Sequence, residues 1–390
     1  MQSNAQTDEM LDQLIFGDDS PSLNLESPET ETPPSPAAET PVSSLGEYNT
    51  GMVKWSKDFS IRVDAGYADN ALLSPFKKDG SGFLRSTFDT FLYRPITDSG
   101  FQTYLYALGE INLYDDLEGM DVSSLFMVQN ELGWTGLDGV ESGFRVKYTY
   151  YDQVYDASFD EFDQSSATVQ SNQFEIRPFL RSPVGENGFV GAELAGVRVL
   201  YENSSEDYFE GHFRTFMGRY YGHGSKVELD LKSIWREYDE RVRRERSGYP
   251  MSGTLKRRSL GGGLTWLHSI HEKPHWRTRI NASFMTAMDN GSSYYDYDLG
   301  RVKMSLIRNG EKWKTNASIG FSHYDYQSQL GDNGESKLFR KTIETSLSLE
   351  RSLGENWALF LEGRREMDDS NLRSYKYNAN VVSIGGERSL

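Results

Sequence analysis

The sequence predicts an all-β fold, a closed antiparallel transmembrane β-barrel of about 16 strands behind a disordered N-terminal tail. Three observations predict it. Apolar and polar residues alternate with period two in segment after segment, as in Trp313, Ala317, Ile319 and Phe321 against Lys314, Asn316, Ser318 and Ser322. Five of the seven tryptophans (Trp134, Trp266, Trp276, Trp313 and Trp357) fall at the tight-turn ends of such segments, the pattern of an interfacial aromatic girdle. Only 37% of the chain is apolar and mean hydropathy is -0.62, yet Tyr and Phe number 23 and 21. No stretch approaches the roughly 20 apolar residues of a spanning helix. A large barrel with a wet lumen satisfies all three, because only every second residue of each strand need be apolar.

Ahead of the strands, residues 1–54 read as a disordered acidic, Pro-rich tail. Six of the twelve prolines lie in the first fifty residues, with ten acidic side chains and no Lys or Arg. Such a segment cannot bury enough apolar surface to offset its ordering entropy. Met10, Leu11, Leu14, Ile15 and Phe16 form a small apolar island in it, either a transient helix or a docking peptide for a periplasmic partner. Residues 1–20 hold no basic region followed by an apolar run, so no signal peptide is visible. Because a barrel of this kind needs export, the expectation is a mature form or a start downstream of the encoded one.

Residues 55–390 read as the barrel. Candidate strands lie near 58–67, 82–93, 101–114, 122–134, 142–151, 169–181, 188–201, 208–221, 226–236, 256–268, 275–286, 297–308, 312–325, 338–351, 357–365 and 374–386. Alternation assigns a polar face to each. Arg62 and Asp64 mark it on the first strand, Arg145 and Lys147 on the fifth, Glu175 and Arg177 on the sixth. Lys226, Glu228, Asp230 and Lys232 mark it on the ninth, Arg277 and Arg279 on the eleventh, Arg301 and Lys303 on the twelfth, Glu344 and Glu350 on the fourteenth. These side chains are the candidate pore lining, either facing water as a charge filter or pairing across strands as filling.

The connections alternate in character. Arg94–Gly100, Ser182–Asn187, Gly222–Gly224 and Leu353–Asn356 are short and turn-like, whereas Ala68–Ser81, Asp152–Thr168, Glu237–Leu255, Met288–Asp296 and Tyr326–Lys337 are longer and polar. Short turns on one side and long loops on the other is the outer-membrane arrangement. All five tryptophans then stand at the periplasmic interface, and Trp235 belongs at the opposite one. The segment Arg236–Arg258 holds eight basic residues against four acidic ones and, on an external loop, would suit lipopolysaccharide phosphates or simply pair internally.

The segment Ala65-Gly66-Tyr67-Ala68-Asp69-Asn70-Ala71-Leu72-Leu73-Ser74 resembles the first hairpin of bacterial outer-membrane β-barrel proteins of the exopolysaccharide-associated type, and more weakly the barrel of surface lipoprotein assembly modulators. The resemblance implies an outer-membrane barrel serving transport or export. Many barrels of this class end in an aromatic residue, whereas this sequence reads Gly386-Glu387-Arg388-Ser389-Leu390 at its end, and no helical-repeat pattern is visible in the residues ahead of the strands.

The absence of Cys removes disulfides, thiol nucleophiles and Cys-bound metals together. His268, His271 and His275 cluster about one turn but are expected to be solvated rather than metal-binding. The net charge of -17 offers nothing to nucleic acid. The expectation is therefore a non-enzymatic, cofactor-free porin-like channel for small polar solutes or saccharides in the outer membrane of a Gram-negative bacterium. Its partners would be outer-membrane lipid and lipopolysaccharide, and a periplasmic protein bound by the tail. The alternative is a non-conducting export or assembly component for polysaccharide or surface lipoprotein.

Overall fold

A computed structural model describes residues 55–94, 100–115, 117, 121–136, 138–156, 166–222, 224–270 and 275–390. The tail expected over residues 1–54 lies outside the described residues. Sixteen strands follow: β1 (Ser56–Ala68), β2 (Ser81–Arg94), β3 (Phe101–Tyr114), β4 (Val122–Thr135), β5 (Glu141–Asp156), β6 (Ser166–Val184), β7 (Gly188–Tyr201) and β8 (Tyr208–Tyr221). The second half comprises β9 (Ser225–Arg244), β10 (Pro250–Ile270), β11 (His275–Asp289), β12 (Tyr297–Asn309), β13 (Trp313–Leu330), β14 (Lys337–Ser352), β15 (Trp357–Ser370) and β16 (Tyr377–Ser389). Each strand pairs antiparallel with its sequence neighbours, and β1 pairs with β16, so the sheet is a closed barrel. Closure leaves no strand edge unpaired.

Period two carries straight through the register. On β1 the residues Ile61 and Val63 are exposed on the outer surface, while Asp64, next to Val63 and opposite Gly385, is buried. On β13 the pairs Ile319↔Met304 and Phe321↔Val302 continue the same outer surface, with Leu347 on β14 beyond it. This surface is an apolar band that includes Leu84, Phe88, Phe126, Ile176, Leu194, Phe213, Leu231 and Leu260, each exposed. Apolar residues in the open and charges inside invert the arrangement of a water-soluble protein.

One rim carries both ends of the barrel and the tight connections, such as 185–187, 310–312 and 353–356; the other carries 69–80, 202–207, 245–249, 290–296, 331–336 and 371–376. Gly222 and Gly224 both have positive φ (58° and 71°) at the β8–β9 connection, a backbone shape that favours glycine. At the second rim the strands run further than expected. The expected loop Glu237–Leu255 is instead a continuation of β9 to Arg244 and of β10 back to Pro250, joined over 245–249. Its inward residues pack: Tyr238 and Leu255 are buried with Val197, Val199, Tyr208 and Tyr295. A second cluster of Ala287, Tyr297, Leu299, Tyr324, Tyr326, Leu338 and Tyr375 lies beside it. Likewise β13 reaches Leu330, and Ser182 to Val184 belong to β6, so that turn is only 185–187.

Width follows from strand number. Sixteen strands about 4.8 Å apart and tilted about 40° close at a backbone radius of about 16 Å. Roughly eight strands is the size that wall side chains alone can fill. This barrel encloses space beyond their reach.

Candidate functional site: the inward wall

Register places every one of the sequence-predicted lining residues on the inward face. On one side of the barrel they are stapled together. Arg85 donates to both oxygens of Asp64 (Nε to Oδ1 at 2.9 Å, Nη2 to Oδ2 at 2.8 Å) and to Glu362 at 3.0 Å. Arg62 joins from β1, 2.5 Å from Glu362 and stacked 3.3 Å over the Phe360 ring. Asp64 is 1% exposed, so its charge depends on this forked partner. Further round, Arg145 donates twice to Glu131 (2.9 and 2.7 Å). Glu175 lies between Lys147 at 3.6 Å and Arg177 at 2.7 Å, and Arg177 reaches Glu193 at 3.2 Å. Arg214 donates to Glu228 at 2.7 Å with Asp230 at 3.7 Å, while Lys226 stands 3.6 Å from Glu228. Lys232 is inward and half-buried, opposite Arg214 in register.

From β10 to β14 the inward charges are mostly basic. Arg277 and Arg279 face inward from β11, opposite Ile307 and Ser305. Lys303, at the centre of β12, lies between Asn281 and Gly320; Arg301 donates to Ser322 Oγ at 3.2 Å and to the Tyr324 hydroxyl at 3.4 Å. Small residues surround them: Gly261, Gly263, Ser283, Ser318 and Ser346. Glu344 faces inward opposite Gly320 and is nevertheless exposed. Glu350 faces inward near the first rim, 2.9 Å from Lys314.

Sequence reasoning missed Arg85, Glu131, Glu193, Arg214 and Glu362. The same alternation marks them as inward, but nothing local marks them as partners of the residues chosen. Arg85 and Glu362 are 277 positions apart and meet because β1 and β16 close the sheet.

All five tryptophans lie on the outward face at the rim that carries the tight connections. Trp134, Trp313 and Trp357 are exposed, at 42, 47 and 55%. Trp266 stacks on His268 (5.6 Å, 2° between planes), which in turn faces Tyr221. Arginines from neighbouring strands sit over three of them: Arg308 over Trp276 at 5.6 Å, Arg351 over Trp313 at 5.5 Å and Arg388 over Trp357 at 5.4 Å. Trp235 is exposed on the outward face of β9 toward the other rim. Of the three clustered histidines, His268 points outward and His275 takes an inward position, so these two do not converge; His271 lies outside the described residues. Among the described residues no group of three His, Asp or Glu side chains could hold a metal.

The basic segment Arg236–Arg258 is not a free loop. Arg236 donates to Glu210 at 2.8 Å and stacks 4.2 Å over Tyr208. Arg241 donates to Glu206 at 2.7 Å, Arg243 to the Ser252 carbonyl at 2.8 Å and Arg244 to the Tyr295 hydroxyl at 2.9 Å.

No protein-family description matches the chain, and no curated relative does. Solved structures of similar architecture include a bacterial polysaccharide outer membrane secretin (9% identity, TM-score 0.42, covering 85% of this chain and 97% of that one). Others are OccAB1 of Acinetobacter baumannii (8% identity, TM-score 0.46, 86% and 96%) and the anion-selective porin from Comamonas acidovorans (8% identity, TM-score 0.44, 86% and 99%). Each is a distant likeness of overall shape.

Proposed function

We propose that the chain is a porin-like channel in the outer membrane of a Gram-negative bacterium, passing small polar solutes or saccharides. One observation carries the reading: Glu344, in the middle of β14 and inward-facing, is exposed, so the solvent it meets lies inside the barrel. The width of sixteen strands agrees, since barrels of this size leave an aqueous channel unless a loop or plug fills them. The apolar outer band supports insertion in lipid, and the tryptophans, three with arginines over their rings, support an interface at the rim bearing the chain ends. That rim is then periplasmic, as is the tail before β1. Outward Arg258, Lys256 and Lys341, all exposed near the opposite rim, would meet lipopolysaccharide phosphates.

The test is conductance of the purified, folded protein in planar bilayers. Stepwise, ohmic openings are expected. A folded barrel that carries no current refutes the channel and favours the export or assembly role. Deleting residues 1–50 should leave both folding and conductance intact.

A further inference from the structure

The inward wall is electrically divided. From β10 to β13 the inward positions carry Arg257, Arg277, Arg279, Arg301, Lys303 and Lys314, the last paired with Glu350 of β14 at 2.9 Å, while Glu344 of β14 stands across Gly320 from Lys303. Among the described residues of these four strands the only inward carboxylate is Asp289, the last residue of β11. Its oxygens accept the backbone N–H groups of Gly291 (2.7 Å), Ser293 (3.2 Å) and Tyr295 (2.8 Å) at the rim. The opposite wall is the reverse: Asp64, Asp89, Glu110 and Glu131 face inward from β1 to β4, with Arg62 and Arg85 their inward cations.

Four of the basic positions form a series along the turn-side half of the barrel. Arg277 is the third residue of β11 and Arg279 the fifth, near the turn rim. Lys303 is at the centre of β12 and Arg301 one step higher; beyond them the same strands turn Met285, Leu299, Tyr297 and Tyr324 inward, and Arg257 lies past that cluster opposite Asp289, buried 5.3 Å over the Tyr297 ring. Beside the four, from Arg277 to Arg301, lie Gly263, Ser283, Ser305 and Ser318, which add no bulk over the charges. Like charges held along one low-dielectric wall focus the field and favour counter-ions beside them.

We propose that the β10–β13 sector is a track for anions, taking carboxylate- or phosphate-bearing solutes, with Arg301 and Lys303 setting selectivity at mid-barrel. This rests on the channel reading above. Guanidinium groups bind both kinds of oxyanion in a forked geometry, and a ladder of them lets an anion move by exchange rather than release.

The experiment is the reversal potential of the folded protein across a KCl gradient. The chloride-to-potassium permeability ratio is expected above one. It should fall below one for the double variant Arg301→Glu with Lys303→Glu, and stay above one for Arg301→Lys with Lys303→Arg. The shift should shrink near 1 M salt, where screening acts within about 3 Å. Heat-modifiable migration on a semi-native gel checks that each variant folds, and Arg301→Gln with Lys303→Gln, expected intermediate, serves if the double glutamate does not. A ratio below one in the unaltered protein, or one unchanged by charge reversal, overturns the track. If the barrel passes no current, the channel reading fails by itself, and citrate titration calorimetry of the detergent-solubilised protein reads the track instead. Citrate heat lost in the charge-reversed variant supports the track; equal heats in both, or none in either, overturn it.

Discussion

Ile319→Arg tests which face of the wall meets lipid. Ile319 is 52% exposed on the outward face of β13, paired with Met304 and Thr345 and flanked on that face by Ala317 and Phe321. It lies between Trp313 at one rim and His323 toward the other, near the middle of the apolar band. An arginine at the midplane of a lipid-facing barrel surface costs about 2–4 kcal/mol. That is a loss of about 30- to 900-fold in the folding equilibrium. The adjacent Ser318 is the control. Its Oγ lies 2.7 Å from Ser346 Oγ on the inward face, with Ser305 on the other side, so a long cation placed there enters the lumen. Ser318→Arg should cost no more than the lost hydrogen bond, about 1 kcal/mol. Urea titration of folding into phosphatidylcholine vesicles, followed by tryptophan emission, reads the difference. The midpoint for Ile319→Arg should fall well below that for Ser318→Arg. Equal midpoints, or the greater loss at Ser318, would refute the assignment of faces and with it the membrane.

Two further predictions concern the seam between β1 and β16. Gly385→Ala would place a Cβ 2.3 Å from the Val63 carbonyl oxygen and 2.4 Å from Asp64 Cβ, so backbone must move and about 1–3 kcal/mol is lost. Gly363→Ala, with nothing within 4 Å of the added carbon, should change the urea midpoint by less than about 0.5 kcal/mol equivalent. At the loop end of the seam, Asp69 accepts the Asn380 backbone N–H at 2.7 Å and its side-chain amide at 2.6 Å. Burial raises the Asp69 pKa, but these hydrogen bonds outweigh it and hold the carboxyl below its ordinary value. Its contribution is therefore present above the ordinary carboxylate range and is lost as pH falls through the lowered pKa. The stability difference between the unaltered protein and Asp69→Asn, measured by thermal melting on semi-native gels, should narrow on acidification; a gap that widens would reverse the assigned sign.

Much of the architecture was legible because period two is a local property. Trp313 to Ser322 shows both surfaces of β13 without reference to any other strand, and Arg301 and Lys303 are assigned inward by their neighbours Val302 and Met304 alone. Local pattern fails where charge replaces the apolar half of the alternation. From Glu237 to Leu255 the outward positions include Glu237, Asp239 and Lys256 just beyond, so strands that project past the apolar band look like a loop. Their inward residues, Tyr238 and Leu255, show the continuation only once Tyr208 and Tyr295 are seen to cover them.

Alternation along the chain yields the strands within the apolar band, their two faces, the rim on which the tryptophans gather and the inward position of the charges named from it. Which of those charges meet follows from the closed sheet. Arg85 clasps Asp64 from the next strand of its own hairpin, but Glu362 of β15, which accepts from the same guanidinium, is brought there across most of the chain by closure of the sheet. The separation of a basic sector on β10 to β13 from an acidic wall on β1 to β4 is likewise invisible strand by strand. The physical reason is that alternation is written in the covalent order of one strand, whereas an electrostatic field sums over every strand that the closed sheet sets around the same lumen.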